Sequence, residues 1–199
     1  MEEKDTHAIP VTMEETWSPG SLVYFGTEMR TIAIWYEITY ENVLPTISQL
    51  LELNAIDPKK EITIWLCTEG GSLSAALALY DTIRMIESKV IIYTSGICAS
   101  AGLLILAAGD ERYSTENTQF FYHQPVMPAG IDLISAEMVT ETANSYVNQQ
   151  VNYDELLMKR CKIKKSIWKK HFAGKIAKYF TPAEAHSYGF IDGVTKKGK

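Results

Sequence analysis

An α/β fold built on a mostly parallel sheet is predicted by three observations. β-Branched apolar runs alternate with segments of helical periodicity along the chain, the pattern of parallel strands joined by right-handed crossovers. The runs are closed by turn formers, as at Gly70-Gly71-Ser72 and Gly109-Asp110. Gly71, Ser100 and His123 all fall at the ends of predicted strands, and in parallel sheets ligands gather at the carboxyl ends of strands.

Met1 to Pro19 is polar and weakly patterned and reads as an amino-terminal arm, with residues 20–199 as a single domain. Ser21 to Phe25 reads as a short strand. Tyr40 to Asn54 is helical, with Val43, Ile47, Leu50 and Leu51 on one face and Pro45 near the first turn, where proline is tolerated. Glu61 to Cys67 is a buried strand, and Ser72 is placed to cap the helix that carries Leu73, Ala76, Leu77, Tyr80 and Ile83. Lys89 to Thr94 is a second buried strand, Ser100 to Ala108 a helix, and Thr118 to His123 a third strand. Asp132 to Arg160 reads as one long helix with a polar middle at Asn144 to Asn152. Lys165 to Phe172 is a shorter helix. Thr181-Pro182-Ala183-Glu184 has the cap, the first-turn proline and the capping-box glutamate of a further helix, which Gly189 ends.

Composition narrows the class. The chain has 199 residues, 46% apolar and 22% charged, as expected of a globular protein with a sizeable core. Met1 to Gly20 lacks the apolar centre of a secretory signal. The longest apolar stretch, Ala101 to Ala108, is far short of the roughly 20 residues of a membrane span. Cys67, Cys98 and Cys161 are an odd set without metal-type spacing, so reduced thiols and a cytoplasmic location are expected, with neither a metal nor a cofactor. The net charge is −5, yet Leu156 to Ala183 holds nine bases and no acid. That stretch is expected to be a solvated helix face or a contact with an acidic neighbouring subunit; a membrane or nucleic-acid partner is not expected.

The candidate chemistry centres on Ser100, in Gly96-Ile97-Cys98-Ala99-Ser100-Ala101-Gly102, and on His123, which comes 23 residues later. Acyl transfer needs a nucleophile, a base within reach and donors for the oxyanion. Ser100 can attack, His123 can take its proton, and the N–H groups of Ala101 and Gly71 can donate to the oxyanion. Taken singly, a serine opening a helix is most often a cap and a strand-end histidine most often structural. The Gly-x-Ser-x-Gly elbow is absent, because Cys98 stands at its first glycine. Cys98 itself reads as a small buried hydrophobe.

Several stretches together resemble the ClpP family, the proteolytic subunits of ATP-dependent Clp proteases. They are Glu69-Gly70-Gly71-Ser72, the run from Ala78 to Ile83, Ala99-Ser100-Ala101-Gly102, Leu106-Ala107-Ala108-Gly109, His123-Gln124-Pro125, and Pro182-Ala183-Glu184-Ala185 with Tyr188-Gly189-Phe190-Ile191-Asp192. The resemblance implies a crotonase-like fold of repeated β-β-α units with a protruding handle helix from about Asp132. It implies Ser100 as nucleophile, His123 as base, and the Gly71 and Ala101 amides as the oxyanion hole. It implies polypeptide substrates cleaved inside a homo-oligomer of heptameric rings stacked in pairs, served by an AAA+ unfoldase.

Two departures accompany it. The third triad member of the family is an aspartate; counting back without gaps from Ala185 puts Ala173 there, and no acid lies between Glu155 and Glu184. The substitutes open to the chain are a Ser–His dyad, a backbone carbonyl or His171. The arm before Pro19 and the loop Val126 to Gly130 also differ from the family pattern, which bears on unfoldase docking and on substrate grip. The leading expectation is a serine endopeptidase of the Clp type. The alternative is a weak or inactive Clp-like subunit that assembles with an active paralogue. A crotonase-type acyl-CoA enzyme would need a site carboxylate, for which Glu69 is the candidate.

Overall fold

The computed structural model describes residues 29–125 and 135–195. The arm, the strand expected at Ser21 to Phe25, the loop from Val126 and the start of the long helix at Asp132 lie outside the described residues. Seven strands form one sheet: β1 (Thr31–Ile34), β2 (Ile62–Thr68), β3 (Val90–Ala99), β4 (Glu111–Thr115), β5 (Gln119–His123), β6 (Ala177–Phe180) and β7 (Gly193–Thr195). Six helices accompany them: α1 (Tyr40–Ile56), α2 (Leu73–Met85), α3 (Gly102–Ala108), α4 (Ala136–Arg160), α5 (Lys165–His171) and α6 (Pro182–Tyr188). The order β1-β2-β3-β4-β7 is parallel throughout.

β3 divides the sheet. Ile91 to Thr94 pairs with β4, and Ile97 to Ala99 pairs with β5. The change of partner falls at Gly96, whose φ is +68°, and at a register irregularity against β2 between Leu66 and Thr68. Extra residues in one strand bend it and turn the rest of the strand in a new direction. Here they carry the end of β3 away from β4 and onto β5, beside which β6 lies antiparallel.

The core sits between the sheet and its helices. In β2 the alternate residues Ile62, Ile64, Leu66 and Thr68 are buried, so one face of the strand is fully covered. On the other face Trp65, Tyr93 and Tyr113 stack in register, with ring centroids 5.1 and 5.3 Å apart. Every residue of α3 is buried, as an all-apolar helix requires. Its last carbonyls, from Ala107 and Ala108, accept from the Arg160 guanidinium, which supplies the partners a buried helix end lacks. Arg160 is thus one base of the acid-free stretch with a structural task.

Several elements differ from the sequence expectation. β4 carries no strand signal because its buried positions are Arg112 and Ser114, so no apolar alternation marks it. Arg112 is neutralised there by a two-pronged pair with Asp192 at 2.9 and 3.1 Å. β1, β6 and β7 are four residues or fewer, too short for a periodic signal. α4 runs unbroken through Asn144 to Asn152, whose side chains are mostly exposed. β3 continues past Thr94 to Ala99, and α3 starts at Gly102 with Ala101 at its cap position. Ser100 is therefore not a helix cap. No helix among the described residues is long and apolar enough to cross a membrane.

Candidate active site

Ser100 occupies the turn between β3 and α3 with φ +53°, a left-handed conformation that non-glycine residues rarely adopt. The turn is fixed from both sides. The Ser100 N–H donates to the Phe121 carbonyl at 2.8 Å, and the Ser100 carbonyl accepts from Leu103 N–H at 3.0 Å. A third bond, from the Tyr153 hydroxyl to the Ser100 carbonyl, is 2.7 Å. Such a tight strand-to-helix turn lifts a hydroxyl out of the sheet end, the geometry of a nucleophile elbow, although the flanking glycine pattern is absent. Gly70 permits it: a Cβ there would lie 2.6 Å from Ser100 Cβ and 2.8 Å from the Ala99 carbonyl oxygen.

Gly71 has φ +141°, and a Cβ would lie 2.3 Å from the Ile38 carbonyl oxygen. Ile38 bonds to the residues on either side, donating to the Gly70 carbonyl and accepting from Ser72 N–H. That bridging leaves the Gly71 N–H pointing the other way. Neither it nor the Ala101 N–H has an acceptor among the described residues. Two unengaged backbone donors beside a serine are what oxyanion stabilisation requires.

His123 ends β5, and its Nδ1 lies 2.6 Å from the Gln124 carbonyl oxygen. A carbonyl can only accept, so Nδ1 carries the proton and Nε2 carries the lone pair. The ring also leans on Phe121, with centroids 5.3 Å apart. Gly71, Ser100, Ala101 and His123 line one cavity of about 390 Å³, together with Tyr146, Gln149 and Tyr153 of α4. Ser100 Oγ and His123 Nε2 make no hydrogen bond to each other in this geometry. Apo sites commonly hold such groups apart until substrate arrives.

Cys98 is fully buried, and burial pushes its thiol far above the ordinary range. It cannot supply a thiolate near neutral pH. Glu69 borders a separate cavity with Trp35, Tyr36 and Cys67, so the carboxylate that the acyl-CoA reading needs is not in the Ser100 cavity. No group of three or more His, Cys, Asp or Glu able to hold a metal occurs among the described residues.

The family model for Clp protease matches residues 23–198. The chain belongs to that family. It is 34% identical over 152 residues to the ATP-dependent Clp protease proteolytic subunit 4, chloroplastic, of Arabidopsis thaliana, covering 74% of this chain and 50% of that protein. It is 31% identical over 171 residues to the proteolytic subunit 2 of Cutibacterium acnes, covering 83% and 76%. With the proteolytic subunit 2 of Chlamydia abortus the identity is 39% over 118 residues, covering 56% and 58%. The chain thus spans only about half the length of some of its Clp protease relatives.

Within this Clp protease fold the position facing His123 can be read from the strand pairing. It is Ala177, opposite His123 across the antiparallel β5–β6 pair. The next residue, Gln124, donates to the Ile176 carbonyl, so His123 and Ala177 form a pair without its own backbone bonds, where side chains approach most closely. Ala173, reached by counting back, lies in the turn after α5 with its N–H on the Trp168 carbonyl. Both positions are alanine, and neither supplies an acid. His171 is turned to Tyr188, its Nδ1 3.4 Å from the phenol oxygen. Of the possible substitutes for the acid, only the backbone carbonyl meets the His123 ring. The Tyr153 contact to Ser100 gives no signal in the sequence, since it joins residues 53 positions apart.

Proposed function

We propose that this Clp protease family member is a serine endopeptidase that uses Ser100 as nucleophile and His123 as general base. The reading is carried by a single cavity lined by Ser100, His123, Gly71 and Ala101, the last two with N–H groups that have no acceptor among the described residues. A peptide carbonyl beside Ser100 would be attacked by Oγ while His123 Nε2 takes the hydroxyl proton. The oxygen of the tetrahedral intermediate would rest on the Gly71 and Ala101 amides; each such donor is worth about 3 kcal/mol in the transition state. The protonated ring then gives its proton to the departing amine as the C–N bond breaks. Water, deprotonated by the same Nε2, attacks the acyl-enzyme, and the ring returns that proton to Oγ as the acyl C–O bond breaks, restoring the Ser100 hydroxyl and releasing the acid. Throughout, the Gln124 carbonyl holds Nδ1–H and keeps the ring in the productive tautomer. A neutral carbonyl stabilises the imidazolium less than a carboxylate does, so turnover is slow relative to enzymes with a complete triad.

By the same reading the substrates are peptides or unfolded polypeptides, cleaved within an oligomer of stacked rings fed by an AAA+ unfoldase. The basis is the family membership and relatives named as subunits of ATP-dependent proteases. Ser100→Ala is expected to reduce cleavage of fluorogenic peptides to background while leaving the assembled mass unchanged. Cleavage undiminished by that substitution rejects the assignment.

A second reading has its own observation: the residue facing His123 is Ala177 rather than an acid. It makes the chain a weak or inactive subunit that assembles with an active paralogue. Co-purification with a second Clp-like chain, and peptide cleavage only by the mixed particle, favours this reading; an active particle of this chain alone removes it.

A further inference from the structure

We propose that Tyr153 is a positioning residue for the oxyanion hole, acting through the Ser100–Ala101 peptide group; the inference rests on the serine hydrolase reading. Tyr153 lies on α4 and is 4% exposed. Its hydroxyl donates to the Ser100 carbonyl at 2.7 Å. That carbonyl and the Ala101 N–H are the two ends of one planar peptide unit and point in opposite directions. Holding the oxygen fixes the plane of that peptide and with it the direction of the Ala101 N–H, at the wall of the cavity that Ala101 and Tyr153 both line.

The local geometry needs such a hold. Ser100 has φ +53°, a region that persists only where the surroundings over-determine it. Its other restraints are backbone bonds, from Ser100 N–H to Phe121 and from Leu103 N–H to Ser100. Tyr153 is the one side chain among the described residues that bonds the Ser100 backbone. A hydrogen bond accepted at a carbonyl also polarises its amide and strengthens the N–H as a donor. Tyr153 thus both aims and sharpens the Ala101 donor.

Tyr153 is itself held in place. Its ring stacks on Tyr122 with centroids 6.0 Å apart. The Tyr122 hydroxyl donates to Asp154 at 2.8 Å, and Gln150 Nε2 bonds both the Tyr122 oxygen and Asp154. Tyr122 immediately precedes His123. One turn of α4 therefore grips the strand of the base and the turn of the nucleophile together.

The test is Tyr153→Phe, which keeps the ring and its packing and removes only the hydroxyl. The expected result is a fall in kcat of about ten- to hundredfold with KM held within about threefold, since the lost interaction acts on developing oxyanion charge. The inhibition constant of a peptide boronate, which forms an anionic tetrahedral adduct, is expected to rise by the same factor, while binding of an uncleavable ground-state peptide to Ser100→Ala is unchanged by adding Tyr153→Phe. A merely structural role would not separate the two ligands. A kcat within twofold of the parent, or equal losses for both ligands, overturns the proposal. Amide hydrogen exchange over residues 100–104 gives a readout independent of turnover. Faster exchange in Tyr153→Phe supports the hold, and unchanged exchange overturns it. Absence of both cleavage and boronate binding in the parent protein instead rejects the serine hydrolase reading, with the exchange result still deciding whether Tyr153 fixes the turn.

Discussion

A histidine can be kept in one tautomer by any acceptor that meets Nδ1, and His123 is met by the carbonyl of its own neighbour, Gln124. Restoring the missing acid tests what that substitution costs. Ala177 faces His123 in a close antiparallel pair, with Cα atoms about 4.5 Å apart in such pairs. Ala177→Asp is expected to raise kcat/KM for peptides by about tenfold or more, a fraction of the roughly 10⁴ that triad acids can contribute. Ala173→Asp, in the turn after α5, is expected to change it by less than about twofold, within the reach of a distant surface charge. Ser100 and His123 stand out in the sequence through the resemblance of their stretches to the ClpP family, residue type and spacing alone being weak signals, and the fold brings both to one cavity. The facing position is not, because gapless counting carries no register, and strand pairing alone distinguishes Ala177 from Ala173. Asp154 gives a further expectation for a single residue. Burial raises its carboxyl above the ordinary aspartate range, against the lowering effect of bonds from Tyr122 and Gln150. The unfolded chain therefore ionises first, and the folded state loses relative stability as pH rises from the unfolded aspartate value of about 4 through the raised folded one. Asp154→Asn is expected to flatten the unfolding midpoint against pH across that window; an unchanged slope counts against it.

Among the secondary-structure elements, the site depends on β3 changing partners. Its first half belongs to the flat of the sheet and its second half to the β5–β6 layer, so that Ser100 and His123 arrive on adjacent strand ends. The close passage of Gly70 over this turn is equally necessary. Gly70→Ala would force a Cβ against Ser100 and Ala99 at a residue with φ +101°. It is expected to cost about 1–3 kcal/mol of stability, read as a lower denaturation midpoint, and to abolish peptide cleavage through displacement of Ser100. Full activity with unchanged stability would show that the turn tolerates displacement. Helices are readable in the sequence wherever caps and apolar stripes coincide, as at Ser72 and Thr181. β4 is not, because the buried Arg112, paired with the exposed Asp192, stands where an apolar residue would mark its inner face. The strand expected to end at Thr94 continues to Ala99, because Gly96 marks a bend inside it rather than its end.

For the molecule as a whole, α4 is the element on which the proposed assembly would bear. Met138, Val139, Val147 and Val151 are exposed on it, although an isolated surface helix gains nothing from apolar side chains facing water. The stacked rings proposed from the family would cover them. Val147→Glu combined with Val151→Glu is expected to split a double ring into single rings, read as a halved mass by sedimentation. An unchanged mass places the ring contact elsewhere. The long helix is legible in the sequence through its length, while its partner surface depends on which side chains remain uncovered after folding. In the acid-free stretch Lys159, Lys162, Lys164, Lys165, Lys169, Lys170 and Lys175 are exposed, as a solvated face requires, whereas Arg160 serves α3 and Lys178 lies against the Tyr188 ring and Glu184.

A nucleophilic Ser100 served by His123 without a carboxylate can be probed by fluorophosphonate labelling of the intact assembly, with the adduct located by peptide mapping. One adduct per subunit is expected, on Ser100, lost in Ser100→Ala and slowed in His123→Ala. An unlabelled Ser100, or labelling as fast without His123 as with it, would rule out that pairing.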